Sequence, residues 1–176
     1  MGHFDVIIHN AGVYQVSSEL IFAVNTLAPY ILTALIERPK RLIYLSSEMH
    51  LDGDPNLVDL TYDIGRTSYS DSKMQVLMLS MAVARKWSEV FVNAVDPGWV
   101  PTKMGGTSAP DNLEKGFQTQ VWLAGSDDKE AKVSGRYFRH QKEEIYLPEA
   151  GDITIQEKLL TICEQISGVH FPEYFV

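Results

Sequence analysis

The chain has 176 residues, and its 15 basic and 23 acidic side chains give a formal net charge of −8. This length suits a single domain over residues 1–176, and 45% apolar with 22% charged residues is typical of a globular chain. The acidic balance and the scattered basic residues argue against nucleic acid or an anionic membrane surface as partners.

Cysteine and histidine usage argues against disulfides and metal sites. Cys163 is the only cysteine, so no intramolecular disulfide can form and no cysteine pair exists for a structural zinc site. The five histidines show no ligand spacing, and no metal is predicted. We therefore expect a reducing, cytoplasmic location.

The first half of the chain alternates a strand, a helix and a second strand. Continuous apolar residues predict buried strands at 4–9 and 41–47. Residues 20–36 form an apolar tract that is too short to be a typical bilayer span, so they are predicted to lie in a buried helix over 18–37. Residues 48–66 are polar, contain Gly and Pro, and predict a long loop.

The second half continues the alternation. The polar start and basic end of residues 68–87 predict a helix whose charges suit the helix dipole. The remaining predicted elements, in chain order, are a strand at 90–95, a Gly/Pro-rich loop at 99–110, a helix at 111–124, a strand at 134–139 and an amphipathic helix at 154–166.

This pattern predicts an α/β fold with a parallel sheet of about four strands and helices on both faces. Polar clusters follow three of the strands: Asn10-Ala11-Gly12, Ser46-Ser47 and Asp96-Pro97-Gly98. Because ligands in such sheets bind beyond the carboxyl ends of the strands, we expect the three clusters to line one crevice.

Tyr69 and Lys73 stand four residues apart near the start of a predicted helix, so they share a helix face. Alone, this pair is weak evidence and could be an ordinary surface pair. The pair becomes specific evidence because other motifs accompany it in a fixed order along the chain. These are Asn10-Ala11-Gly12, Val24-Asn25, Ser46-Ser47, and Pro97-Gly98 followed by Thr102. Over about residues 4–140 the chain resembles the short-chain dehydrogenase/reductase family, whose fold is Rossmann-like.

The resemblance implies a catalytic set of four residues. Tyr69 would be the general acid/base that exchanges a proton with the substrate oxygen, and the cation of Lys73 would favour its phenolate. Ser47, rather than Ser46, would hydrogen-bond the substrate oxygen. Asn25 would hold a water on a proton path from Lys73, or could be a buried amide that caps a neighbouring carbonyl.

The resemblance also implies a nicotinamide cofactor, NAD(P), and a small carbonyl or alcohol substrate. The cofactor-binding residues would be Asn10, Ala11, Gly12, Tyr69, Lys73, Pro97, Gly98 and Thr102. Purely structural roles stay open for several of these residues. Asn10-Ala11-Gly12 and Ser46-Ser47 could be simple turns, Thr102 a surface residue, and Trp99 a packing residue. Trp99, Met104 and residues 48–66 would border the substrate.

The family's glycine-rich, phosphate-binding turn is missing from the sequence. No two of the 12 glycines are two positions apart, so neither G-x-G-x-x-G nor T-G-x-x-x-G-x-G can occur. We therefore expect an N-terminally truncated fold that lacks three strands. The choice between NAD and NADP cannot be read, and residues 4–9 would form an exposed edge strand that something must cover.

Three interpretations remain open at this point. The first is an NAD(P)-dependent oxidoreductase with its catalytic half intact, either as a fragment of a longer active enzyme or as a chain that recovers a cofactor site by assembly. The second is a non-catalytic binding or interaction module derived from such an enzyme. The third is an unrelated α/β scaffold. The family commonly forms dimers through two helices, so the resemblance predicts a homodimer through residues 20–36 and 70–84.

Overall fold

A five-stranded sheet forms the centre of the protein. The structure is a computed structural model and describes residues 3–172, without the side chains of residues 59 and 61. The strands lie in chain order, β1-β2-β3-β4-β5. Their bounds are β1 Val6–His9, β2 Arg41–Leu45, β3 Phe91–Asp96, β4 Arg136–Arg139 and β5 Lys142–Glu143. The four predicted strands are confirmed: three are slightly shorter than predicted, and β3 is displaced by one residue from 90–95.

The first four strands are parallel, and β5 returns antiparallel to β4. The predicted elements did not include β5. It follows a two-residue turn in which His140 and Gln141 both have positive φ, of 50° and 61°. Two consecutive residues of positive φ suit a tight hairpin, although neither is the glycine that usually marks one.

Helices cover both faces of the sheet. Their bounds are α1 Ser18–Phe22, α2 Ala28–Leu35, α3 Val58–Tyr62, α4 Tyr69–Lys86, α5 Leu113–Gly125 and α6 Ile153–Ser167. Leu42 and Tyr44 pack with the core on the α4 and α6 side, whereas Ile43 and Leu45 pack with Leu123 of α5. The predicted α/β, Rossmann-like fold is confirmed.

Two segments differ from the predicted elements. The stretch 48–66 is not a continuous loop, because it contains a 3₁₀ turn at Glu48–Asp52, helix α3 and a second 3₁₀ turn at Ile64–Arg66. The helix at 18–37 is interrupted by a π-helical turn at Ala23–Leu27 that joins α1 to α2.

Helix α4 is buried in the interior of the folded protein. It begins with a capping box between Ser68 and Asp71, and residues 71–83 are all buried. The C-terminal helix α6 and a 3₁₀ turn at Pro148–Gly151 pack against it. The homodimer contact through residues 20–36 and 70–84 stays a prediction, and part of the α4 surface packs against α6 within the chain.

The apolar segment Ser18–Leu35 has a mean hydropathy of 1.4 over 18 residues, so by length and composition it could cross a membrane. In the structure 39% of its residues are buried. Core helices of soluble proteins have the same length and composition. Strand β1 lies at the end of the strand order, as expected for an edge strand.

Candidate active site

The carboxyl ends of β1 and β2 and the start of α4 meet around Gly12. A methyl group placed at the Cβ position of Gly12 would lie 3.5 Å from Oδ1 of Asn25 and 3.9 Å from Nζ of Lys73. It would also lie 3.8 Å from Cε of Met104. Three segments that the sequence analysis singled out separately thus border one space in front of Gly12.

Tyr69 and Lys73 occupy the first two turns of α4, as predicted. The ammonium group of Lys73 lies 5.2 Å from the centroid of the Tyr69 ring. It is buried and donates a hydrogen bond of 2.9 Å to the carbonyl of Leu45, the last residue of β2. The capping box fixes the helix start, so the helix holds both side chains at the edge of the sheet.

Burial dominates the protonation of both residues. It raises the pKa of Tyr69 to about 12, and the carboxylate of Asp96 acts in the same direction. It lowers the pKa of Lys73 to about 8, although Asp96 partly opposes this shift. With this raised pKa, Tyr69 is a neutral phenol at neutral pH, and the effect of the Lys73 cation on its phenolate stays a prediction.

The two serines after β2 have different surroundings. Ser46 is buried, and its hydroxyl donates a 2.8 Å hydrogen bond to the backbone carbonyl of Lys73. Ser47 is half-buried, and its hydroxyl accepts a 3.2 Å hydrogen bond from the backbone N–H of Met49 at the start of the 3₁₀ turn. A hydroxyl that accepts one bond still has a proton to donate, so Ser47 is the serine that suits a substrate contact.

Asn25 joins the loop after β1 to helix α4. Its Oδ1 accepts from the backbone N–H of Val13 at 2.8 Å, and its Nδ2 donates to the Val13 carbonyl and to the Ser72 hydroxyl at 3.0 Å each. This geometry matches the alternative of a buried amide that caps backbone groups.

The π-helical turn at Ala23–Leu27 is explained by the proline that follows it. Pro29 lacks the N–H that would bond to the Asn25 carbonyl in an α-helix.

The residues assigned to the cofactor form two groups. Asn10 and Ala11 are exposed at the end of β1, and Gly12 is half-buried beside Lys73. Pro97 and Gly98 follow β3, where Gly98 has a φ of 78°. This φ is in the left-handed region that favours glycine.

Thr102 and Trp99 shape the turn that follows Gly98. The hydroxyl of Thr102 accepts a 3.1 Å hydrogen bond from the backbone N–H of Gly105, so in this structure it closes a turn at the surface. The indole N–H of Trp99 donates to the Gly105 carbonyl at 2.8 Å, and 56% of Trp99 is exposed. Both side chains therefore hold the turn that carries Met104.

The sequence analysis missed two neighbours of this site. The Tyr14 ring stands edge-on to the Tyr69 ring, with the centroids 4.8 Å apart. His50 is buried, and its Nδ1 donates to the Ser47 carbonyl at 2.8 Å, which fixes the turn that carries Ser47. His50 follows Ser47 by three residues, a spacing that a 3₁₀ turn brings together, whereas the composition of residues 48–66 predicts a loop. Among the described residues, no group of three His, Cys, Asp or Glu is arranged to hold a metal ion.

No protein-family model matches the chain. An uncharacterized oxidoreductase of Emericella nidulans is 41% identical to it over 96% of the chain and 70% of the relative. A short-chain dehydrogenase of Penicillium rubens is 37% identical over 98% of the chain and 72% of the relative. The chain belongs to the short-chain dehydrogenase/reductase family.

Solved structures agree with the fold. A protein of Mycobacterium paratuberculosis matches 98% of the chain and 70% of its own length with a TM-score of 0.76 and 24% identity. The NADPH-bound carbonyl reductase from chicken fatty liver matches 82% of the chain and 67% of its own length with a TM-score of 0.59 and 22% identity. At these identities the structural matches show the fold alone.

Proposed function

We propose that this short-chain dehydrogenase/reductase transfers hydride between a nicotinamide cofactor and a small carbonyl or alcohol substrate, with Tyr69 as the proton donor and acceptor. The observation that carries the proposal is the position of Tyr69 and Lys73. The ring and the ammonium group lie 5.2 Å apart on one face of α4, where the parallel strands end. Ligands of parallel α/β sheets bind at this edge.

The residues present suit the nicotinamide-ribose part of the cofactor. The Lys73 ammonium group has three N–H donors, and its bond to Leu45 uses one of them. Its other N–H groups would hold ribose hydroxyls, while Gly12 keeps the space beside it free of a side chain. For the pyrophosphate, the chain offers no glycine-rich turn. The proposal therefore places only the nicotinamide half of the cofactor against this chain's residues.

A bound reduced nicotinamide would supply the hydride, and the residues of this chain would manage the proton. The Tyr69 phenol, which is protonated at neutral pH, would donate its proton to the substrate oxygen. The Lys73 ammonium group would stabilise the phenolate that results. The Ser47 hydroxyl would hydrogen-bond the same substrate oxygen as negative charge develops on it. Asn25 would keep Gly12 and α4 in register through Val13 and Ser72.

A calorimetric titration of the whole chain with NADPH, and separately with NADH, tests the proposal. We expect saturable binding of at least one of the two dinucleotides, weakened in a Lys73→Met variant that loses the ribose-binding ammonium group. An exposed lysine of α5, Lys115, offers the matched control Lys115→Met, which should bind as the wild type does. The absence of binding at millimolar dinucleotide would refute catalysis by this chain alone. It would favour the alternative of a non-catalytic binding module.

A further inference from the structure

Arg139, the last residue of β4, lies at the centre of a cluster of three carboxylates. It stands opposite Asp96 in the parallel register of β3 and β4, and its Nη1 lies 3.5 Å from Oδ2 of Asp96. The same Nη1 donates to Glu48 at 2.7 Å, and Nη2 donates to Asp111 at 3.4 Å. One guanidinium group thus connects the segment after β2, the end of β3 and the segment just before α5.

Two of these carboxylates hold the backbone of the loop beside the candidate site. Oδ1 of Asp96 accepts a 2.8 Å hydrogen bond from the N–H of Gly98. Oδ2 of Asp111 accepts a 2.7 Å hydrogen bond from the N–H of Trp99. Consecutive backbone amides are therefore fixed by two side chains, and both of these side chains also contact Arg139.

The carboxylates need the cation in order to stay together. Only 3% of the Asp96 side chain is exposed, so water screens its charge poorly, and Glu48 and Asp111 add like charge nearby. A planar guanidinium group can contact three oxygens in fixed directions, which a lysine ammonium group at the same position could not match. Without Arg139, repulsion would separate the carboxylates and release the amides that they hold.

We propose that Arg139 is a positioning residue, which holds the Gly98–Trp99 backbone through Asp96 and Asp111 and thereby places the 98–106 segment against the site. That segment carries Met104, which reaches the space in front of Gly12. The functional consequence rests on the proposed function, because the loop matters to catalysis only if a nicotinamide binds beside it.

Amide hydrogen exchange of the whole chain, measured by mass spectrometry, tests the positioning itself. Arg139→Met should accelerate exchange in the 98–106 segment by at least about tenfold, since charge-assisted bonds are lost there. Arg139→Lys should give an intermediate increase. Arg136→Met is the matched control, because Arg136 lies on the same strand and its guanidinium group pairs with the exposed Glu143 rather than with the carboxylates around Arg139. It should leave exchange in the 98–106 segment within about twofold of the wild type.

Equal exchange in the Arg139→Met and Arg136→Met proteins would overturn the proposal. So would faster exchange spread over β2 and β3, because that would indicate a general loss of stability. NADPH titration of the same proteins separates the two hypotheses. If the wild type binds NADPH, Arg139→Met should raise its dissociation constant more than Arg136→Met does. If the wild type binds no dinucleotide, the proposed function fails for this chain, and the exchange result still decides the role of Arg139.

Discussion

Replacing Lys73 by Met should make the protein more stable at neutral pH while it weakens cofactor binding. Lys73 is buried, and its ammonium group donates a hydrogen bond to the backbone carbonyl of Leu45. Met is unbranched and similar in length, so it can fill the space of the lysine stem. The substitution therefore removes a buried charge with little change in packing.

The magnitude follows from the pKa of Lys73. Burial lowers this pKa from the ordinary value of 10.5 to about 8. Because a change of one unit in pKa corresponds to ~1.36 kcal/mol, the buried charge lowers the free energy of unfolding by about 3 kcal/mol at pH 7. Lys73→Met also loses the hydrogen bond to the Leu45 carbonyl, which offsets about 1–2 kcal/mol of the stability gained. The net gain is about 1–2 kcal/mol, or a rise in Tm of roughly 4 °C for a chain of this size.

The stability difference between Lys73→Met and the wild type should depend on pH. Between about pH 8 and 10.5 the unfolded chain holds the Lys73 proton and the folded chain does not, so the wild type gains stability as the pH rises through this window. The advantage of Lys73→Met should therefore be largest at pH 7 and shrink above pH 8. Urea unfolding of both proteins at each pH measures the difference, in which the titrations of Cys163 and the buried tyrosines cancel.

The control for this measurement is Lys115→Met on the exposed surface of α5, which should change stability by less than about 0.5 kcal/mol at every pH. A Lys73→Met protein that is less stable than the wild type at pH 7 would contradict the reasoning. A stability difference that does not vary between pH 7 and pH 10 would contradict it as well.

The serines and glycines of the site allow two further paired tests. Ser46→Ala should lower the free energy of unfolding by about 1 kcal/mol, because it removes a buried bond to the Lys73 carbonyl. Ser47→Ala should lower turnover and cost less stability, since the bond it loses, from the Met49 N–H, is exposed. Urea unfolding and NADPH oxidation rates separate the two, and a Ser46→Ala protein with lost turnover but unchanged stability would reverse the assignment. Gly98→Ala should cost about 1–3 kcal/mol, since the φ of 78° is unfavourable for alanine and its Cβ would lie 2.5 Å from Oδ2 of Asp111. Gly106→Ala has a similar φ of 75° with no atom within 4 Å, so thermal unfolding should show a smaller loss, and equal losses would mean that the contact with Asp111 is unimportant.

The parallel sheet could be predicted because its signal is local. Buried parallel strands are short continuous apolar runs, and residues 4–9, 41–47 and 90–95 all have this pattern. The positions of the strand ends could be predicted from these runs. The proximity of Gly12, Asn25 and Lys73 at that edge of the sheet could be predicted in turn. The strand β5 escaped prediction because it has two residues and no glycine in its turn.

The remaining features depend on contacts between distant parts of the chain. The burial of α4 by α6 cannot be read from the composition of α4, since an apolar helix suits a dimer contact and an intrachain contact equally. The cluster around Arg139 joins residues from 48 to 139, and no spacing rule connects them. The raised pKa of Tyr69 likewise depends on burial and on Asp96, which a helix-face argument about Lys73 does not include.

The central claim is that Tyr69 transfers the proton in a nicotinamide-dependent reaction at the edge of the sheet. The most direct measurement is the rate of NADPH or NADH oxidation with a panel of small aldehydes and ketones, for the wild type and for Tyr69→Phe. We predict a measurable rate for the wild type and a loss of at least about 100-fold for Tyr69→Phe, with unchanged circular dichroism and dinucleotide binding. A Tyr69→Phe protein that keeps the wild-type rate, or a wild type that oxidises neither dinucleotide with any carbonyl compound, would contradict the account.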